Sequence, residues 1–197
     1  MGSGRIRAVL GRRRAERPQG TTRAWIRPLL VAGAVLTLHL AYDARRWPLI
    51  PEALLDEPAH LLTAWLVLAA LPGDLLRRRV GRWALLSSVA IDVDHIPLYL
   101  FGRGFSVGGR PPTHSLALVC VALGAAALCR PVRERALGVA LGVSLHLFRD
   151  LATGPGVPLV WPVDGSSVRV PQPVYLTIVV SAAVVAAARV RARERAG

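Results

Sequence analysis

At 197 residues, 53% hydrophobic and only 19% charged, with a mean hydropathy of +0.43, the chain is too apolar for an ordinary soluble domain and reads as a membrane domain. Its formal charge of +13 rests on 25 basic residues, all arginine, which fall in short clusters between apolar runs. They form no single basic stripe with interleaved aromatics, which sets nucleic-acid binding aside as the main reading.

Residues 1–27 carry eight arginines and one glutamate among Gly, Pro and Ser, with no apolar period, and read as a disordered basic arm. The apolar run after it, residues 29–42, has no Ala-x-Ala-like cleavage site, so a retained membrane helix is expected, not a removed signal peptide. Further apolar runs follow at residues 58–71, 83–101, 113–129, 136–148 and 174–188, the fifth run being the weakest. A run of about 15 residues spans roughly 22 Å against a bilayer core of about 30 Å, so helix ends must extend into polar flanks or the bilayer must thin. Cys120 and Cys129, nine positions apart in the fourth run, fall on opposite helix faces, where they neither pair nor show metal-ligand spacing.

Arginine placement supplies a topology. The arm, residues 77–82, 130–135 and 189–195 hold nineteen arginines; the alternate loops hold Arg45, Arg46, Arg103, Arg110, Arg149 and Arg169. Loops rich in arginine stay cytoplasmic. The expected fold is therefore an all-α, polytopic bundle of about six transmembrane helices with both termini cytoplasmic. The membrane domain covers residues 28–190 and a basic tail residues 191–197.

Ionisable residues in membrane helices cost roughly 2.5–3.5 kcal/mol each near the centre on insertion scales, so those beside the apolar runs need a reason. His60, Asp92, Asp94, His95, His114, His146 and Asp150 all fall at extracytoplasmic helix ends on the six-span topology. Singly, each reads as a packed histidine or a capping aspartate; seven on one side read as metal ligands. His146 and Asp150 stand at i and i+4, and Asp92 and His95 at i and i+3, so each pair shares a helix face. Asp94 points away unless the helix unwinds, which Pro97 favours. Nitrogen and carboxylate donors without thiolate suit a divalent metal, with zinc the leading candidate and manganese or iron the alternatives. Seven ligands exceed the three usual for one catalytic zinc, so two ions, or one ion with Asp94 and His95 moving protons, are expected.

His39, in mid-run without an acidic neighbour, reads as packing, and Asp74 as a cap or charge partner. Asp56 and Glu57, before Pro58, read as a helix start that could orient His60. In the loop of residues 108–112, Arg110 is a candidate to hold an anionic substrate group, with Thr113 capping the fourth helix. Ser115 lies in no Gly-x-Ser-x-Gly elbow. The loop of residues 150–173, with Trp161, reads as a lid or a lipid-facing edge.

At these residues the chain resembles the YdjM-like family of inner-membrane proteins, to which metal-dependent hydrolysis is ascribed. The resemblance covers residues 59–173 and rests on order and spacing. It runs through His60, Asp92-Val93-Asp94-His95, Arg110 with Thr113-His114-Ser115, and His146 with Asp150, and ends at Thr153-Gly154-Pro155-Gly156-Val157-Pro158-Leu159-Val160-Trp161-Pro162. Gly109 stands where the family pattern has a histidine, and the arm and first helix precede the matching region. The resemblance implies a hydrolase of the bacterial inner membrane without fixing its substrate. The expected function is a metal-dependent hydrolase with its site at the extracytoplasmic interface, its partner the membrane lipid and its substrate a lipid or phosphorylated amphiphile. The alternatives are a metal-ion transporter or sensor, or a scaffold holding a structural metal.

Overall fold

The computed structural model of the protein describes residues 23–102, 104 and 106–196. Most of the basic arm lies outside the described residues. Among those residues every regular element is helical and no strand forms; only isolated bridges at Val107 with Arg110 and Val157 with Val168 pair extended backbone. The α-helices are α1 (Ile26–Asp43), α2 (Leu49–Ala70), α3 (Arg79–Ala90), α4 (His95–Phe101), α5 (Leu116–Leu128), α6 (Arg133–Asp150) and α7 (Gln172–Ala196).

Four helical stretches are long and apolar enough to cross a membrane: α1, α2, the continuous stretch Arg79–Phe101, and α7. Each of the six expected runs contains a helix, but the boundaries differ. α2 begins at Leu49, so Pro58 lies inside it and Asp56 and Glu57 sit in mid-helix, not at its start. The helix tolerates Pro58 at the loss of one backbone hydrogen bond. The last residues of the chain are no separate tail, because α7 continues through them to Ala196. At 13 residues α5 is about 20 Å long, shorter than a bilayer core.

The third run breaks where its acids stand. Residues Ile91–Asp94 form a 3-10 turn between α3 and α4. Pro97 cannot donate to Val93 and its ring crowds that carbonyl, which favours a break in the α-helix at this stretch. The tighter turn carries Asp92 and Asp94 to the same side as His95.

α6 is the central helix. It packs closely on α3, where Gly138 lies against Val80 and Trp83 and Gly142 against Ala84 and Ser87; a Cβ at either glycine would collide with α3 backbone. Ala64, Leu68, Ala84 and Leu145 fill the space between α2, α3 and α6. Val35, Leu66, Tyr175, Val179 and Ala183 join α1, α2 and α7, while Val119, Ala122, Ala140, Val143 and Leu147 join α5 to α6. Large apolar side chains on the outer faces stay exposed, among them Leu30, Leu40, Leu54, Val121 and Leu128. A bundle in lipid would present such a surface.

Contacts at one end bring the arginine-rich segments together. Arg79 pairs with Glu134 at 3.9 Å, Arg193 pairs with Asp74, and the Ala24 amide donates to Glu194 at 3.1 Å. Asp74 is thus a charge partner, held at a left-handed φ of 52° in the turn after α2. The other His and Asp candidates gather at the opposite ends of α3, α5 and α6, but His60 reaches them from the middle of α2 and not from a helix end, because α2 begins at Leu49.

Candidate metal centre

Donor atoms of His114, His146 and Asp150 converge, with Asp92 Oδ1 beside the two histidines, where the end of α6 meets the 91–94 turn and the segment before α5. From His146, Nε2 lies 3.0 Å from Asp150 Oδ2, 3.2 Å from His114 Nε2 and 3.5 Å from Asp92 Oδ1. From His114, Nε2 lies 3.1 Å from Asp92 Oδ1 and 3.6 Å from Asp150 Oδ2. His114, His146 and Asp150 are fully buried.

Hydrogen accounting shows what these atoms are. His146 Nδ1 faces the Ser88 carbonyl oxygen at 2.9 Å; a carbonyl only accepts, so Nδ1 carries the hydrogen and Nε2 of a neutral ring bears a lone pair. His114 stands between two carboxylates, Nδ1 3.2 Å from Asp94 Oδ2 and Nε2 3.1 Å from Asp92 Oδ1, so either ring nitrogen can carry the hydrogen, and a metal at Nε2 would select the Nδ1–H form. In that form two lone pairs and two carboxylate oxygens face one another. Both oxygens of Asp150, with Asp94 Oδ1 and His95 Nδ1, are buried without an aligned hydrogen bond. The Arg110 guanidinium, 3.0 Å from Asp150 Oδ2, offsets one carboxylate charge, and a cation among the donors would offset the others in this dry interior. The spacing also suits an ion: donors about 2.0–2.1 Å from a tetrahedral zinc stand about 3.3 Å from one another. The residues present therefore fit a divalent metal.

The other candidates surround these four. His95 Nδ1 lies 3.1 Å from both Asp92 Oδ1 and Asp94 Oδ1, so Asp92, Asp94, His95 and His114 form a second group able to take an ion. Asp94 also accepts from Thr113 Oγ1, which makes Thr113 a partner of the site and not a cap of α5; the N-cap residue is Ser115, and its hydroxyl donates to the Pro112 carbonyl instead. Together Asp94 and His114 form the carboxylate–imidazole pair that fixes a ligand's tautomer in many metal sites. His60 stacks on His146 with ring centroids 3.8 Å apart, and its Nε2 faces Asp150 Oδ1 at 3.3 Å and Asp56 Oδ2 at 3.7 Å. His60 can also join Asp92 and His146 in a ligand group.

Arg110 is buried. Its Nη1 lies 3.0 Å from Asp150 Oδ2 and its Nε donates to the Gly156 carbonyl at 3.0 Å. The free loop guanidinium expected as an anion anchor is instead engaged with a site carboxylate, and it ties the 153–157 loop over the site. Gly109 takes a φ of +87°, and a Cβ there would press on Pro155, so the position where the family pattern has histidine is built here for glycine.

One participant was hidden from sequence reading. Arg149 counts among the loop arginines, yet it is fully buried, ion-paired to Asp56, with Nη1 3.2 Å from His60 Nε2 and its plane 5.6 Å from the Tyr42 ring. Its place directly before Asp150 and three after His146 on an apolar helix was the available signal. His39 is buried as expected, but it does have an acidic neighbour, Asp43 one turn on, at 3.5 Å.

A cleft of about 240 Å³ opens beside the cluster, lined by Tyr42, Glu52, Glu57, Asp92, His95 and Arg110 among others. Exposed Ile50, Leu100 and Phe101 stand on the neighbouring helices.

The fold and cluster define an all-helical membrane protein with a buried His/Asp centre at one end of its bundle. The chain belongs to the YdjM inner membrane protein family, whose model matches residues 55–197, from inside α2 through α7. No curated protein and no solved structure matches it.

Proposed function

We propose that the protein is a metal-dependent hydrolase of the bacterial inner membrane, spanning it six times with both termini cytoplasmic and its centre at the extracytoplasmic interface. The observation that carries this reading is the convergence of His114 Nε2, His146 Nε2 and Asp150 Oδ2 in one buried cluster, with Asp92 Oδ1 beside both histidines. The orientation rests on the arginine-rich end lying opposite the cluster.

Those four residues would hold the metal, zinc being the leading candidate. When bound, such an ion supplies an acidified water and positive charge for the oxygen that develops charge in hydrolysis. His95 lies near the cleft with Nδ1 between two carboxylates, in reach of a proton on a reacting group there. Asp94 holds the His114 ring, and Arg110 balances the charge of Asp150. The apolar rim beside a polar cleft suits a lipid or another amphiphile. Because Arg110 is committed to Asp150, an anionic part of the substrate finds no free guanidinium in the cleft lining.

The cleft beside the donors also favours catalysis over a closed structural site. For a transporter or sensor, a polar route through the bundle would be needed; below the cluster, α2, α3 and α6 close on Ala64, Leu68, Ala84 and Leu145. The test is hydrolysis of a panel of phospholipids, phosphomonoesters and carboxylic esters by zinc-loaded protein in detergent. Turnover of one class, abolished by His146→Ala, is expected. Metal-loaded protein inert to the whole panel would overturn the hydrolase reading.

A further inference from the structure

The arginine-rich end holds a second cavity, of about 520 Å³, bounded by the start of α1, the end of α2, the turn at Leu75–Arg77 and the end of α7. Its walls are largely apolar, with Pro28, Trp65, Leu68, Leu71, Leu75 and Val190 among them. Its charges are unevenly matched. Asp74 is taken by Arg193, and Glu194 accepts the Ala24 amide. Arg27 and Arg77 also line the cavity; both are exposed, and neither guanidinium has an ion-pair or hydrogen-bond partner among the described residues.

Among the described residues, two guanidiniums without a partner, against the single carboxylate of Glu194 that no cation pairs, leave this apolar recess one positive charge in excess, which suits one molecule with an anionic head and a hydrocarbon body. We propose that this cavity binds a single anionic phospholipid, its phosphate between Arg27 and Arg77 and the start of its acyl chains against Trp65 and Leu71. A free phosphate would satisfy the arginines and leave the exposed Leu71 and half-buried Trp65 uncovered, so the lipid is the better fit. The charge rule puts this end at the cytoplasmic leaflet, where anionic lipids attract basic groups next to membrane helices. The site is separate from the metal cluster and stands or falls without it.

The test uses the full chain, purified in neutral detergent and stripped of lipid. Native mass spectrometry and thermal unfolding are followed with added phosphatidylglycerol, phosphatidylcholine or inorganic phosphate. One phosphatidylglycerol per chain is expected, with a raised Tm, and little response to the other two. Arg27→Gln/Arg77→Gln should weaken that binding about tenfold or more, two basic contacts being removed. Arg82→Gln/Arg133→Gln takes the same charge from the same end outside the cavity and should leave it unchanged. Equal loss in both double variants, an equal response to phosphatidylcholine, or a phosphate response matching the lipid's would overturn the proposal. Brominated phosphatidylglycerol gives an independent reading: it should quench part of the tryptophan fluorescence of the otherwise native chain, and Trp65→Phe should remove that part. Quenching unchanged by Trp65→Phe would count against the site even if the arginine variants failed to fold.

Discussion

His114 and His146 turn their Nε2 atoms toward each other across 3.2 Å, although 32 residues separate them in the chain. A cation between them, or a shared hydrogen, is what such an approach requires, and the carboxylates of Asp92 and Asp150 beside it favour the cation. Protein purified without chelator should therefore carry near-stoichiometric divalent metal by elemental analysis. Alanine at His114, His146, Asp92 or Asp150 should remove most of it. Wild-type protein free of metal would return these residues to packing and proton sharing.

Replacing Asp94 should have a milder effect, because it orients His114 from behind. Asp94→Asn is expected to weaken metal affinity about 10- to 100-fold, the usual cost of losing such a partner. Thr113→Val, which removes one hydrogen bond to Asp94, should cost less. Competition titration with a chromophoric chelator measures both. A loss at Asp94→Asn as complete as at His146→Ala would place Asp94 among the direct ligands.

Acid should unload the centre. The imidazoles and carboxylates bind metal only when deprotonated, so affinity should be highest at neutral pH and fall steeply below about 6.5, the ordinary histidine value. Metal retained at pH 5 after equilibrium dialysis would contradict ligation through His114 and His146.

The pair of Arg149 and Asp56 bears on stability. Arg149→Leu leaves the half-buried Asp56, at the wall of the cleft, with only His60 beside it and should destabilise the protein by about 1–3 kcal/mol. Arg149→Leu with Asp56→Leu should recover part of that loss. Removing the exposed pair of Arg79 and Glu134 should change stability by no more than about 1 kcal/mol. Thermal unfolding in one detergent compares all three; an unchanged midpoint in Arg149→Leu is the adverse result.

Close approach of α6 to α3 depends on Gly142. Gly142→Val should cost about 1–3 kcal/mol or more through overpacking, since its side chain meets Ala84 and Ser87. Gly124→Ala on α5, with open space around it, should be tolerated. Equal unfolding midpoints for the two variants would mean that α3 and α6 do not meet there.

Much of the cluster was legible because an ionisable side chain beside an apolar run needs a partner, and seven of them stand beside four such runs. His60, Asp92, Asp94, His95, His114, His146 and Asp150 meet in overlapping groups of ligand atoms. What one-dimensional reading missed depends on tertiary partners. Whether Arg110 faces substrate or Asp150 is decided by the 153–157 loop folding back over it, which no periodicity reveals. Arg149 looked like a loop charge because its partner Asp56 lies 93 positions earlier. The α2 boundary was misplaced because Pro58 is a familiar helix opener, whereas here the helix runs through it.

The weakest of the six apolar runs became the helix with the most buried surroundings, and that inversion bears on how the chain enters a bilayer. α6 starts with Arg133, Glu134 and Arg135 and ends with Arg149 and Asp150, so it is a poor insertion signal by itself. Its polar end becomes tolerable in hydrocarbon only once α2 supplies Asp56 and His60, and its glycines have a mate only once α3 is in place. The helix that completes the centre is thus held by its packing on α2 and α3 and not by an apolar face of its own.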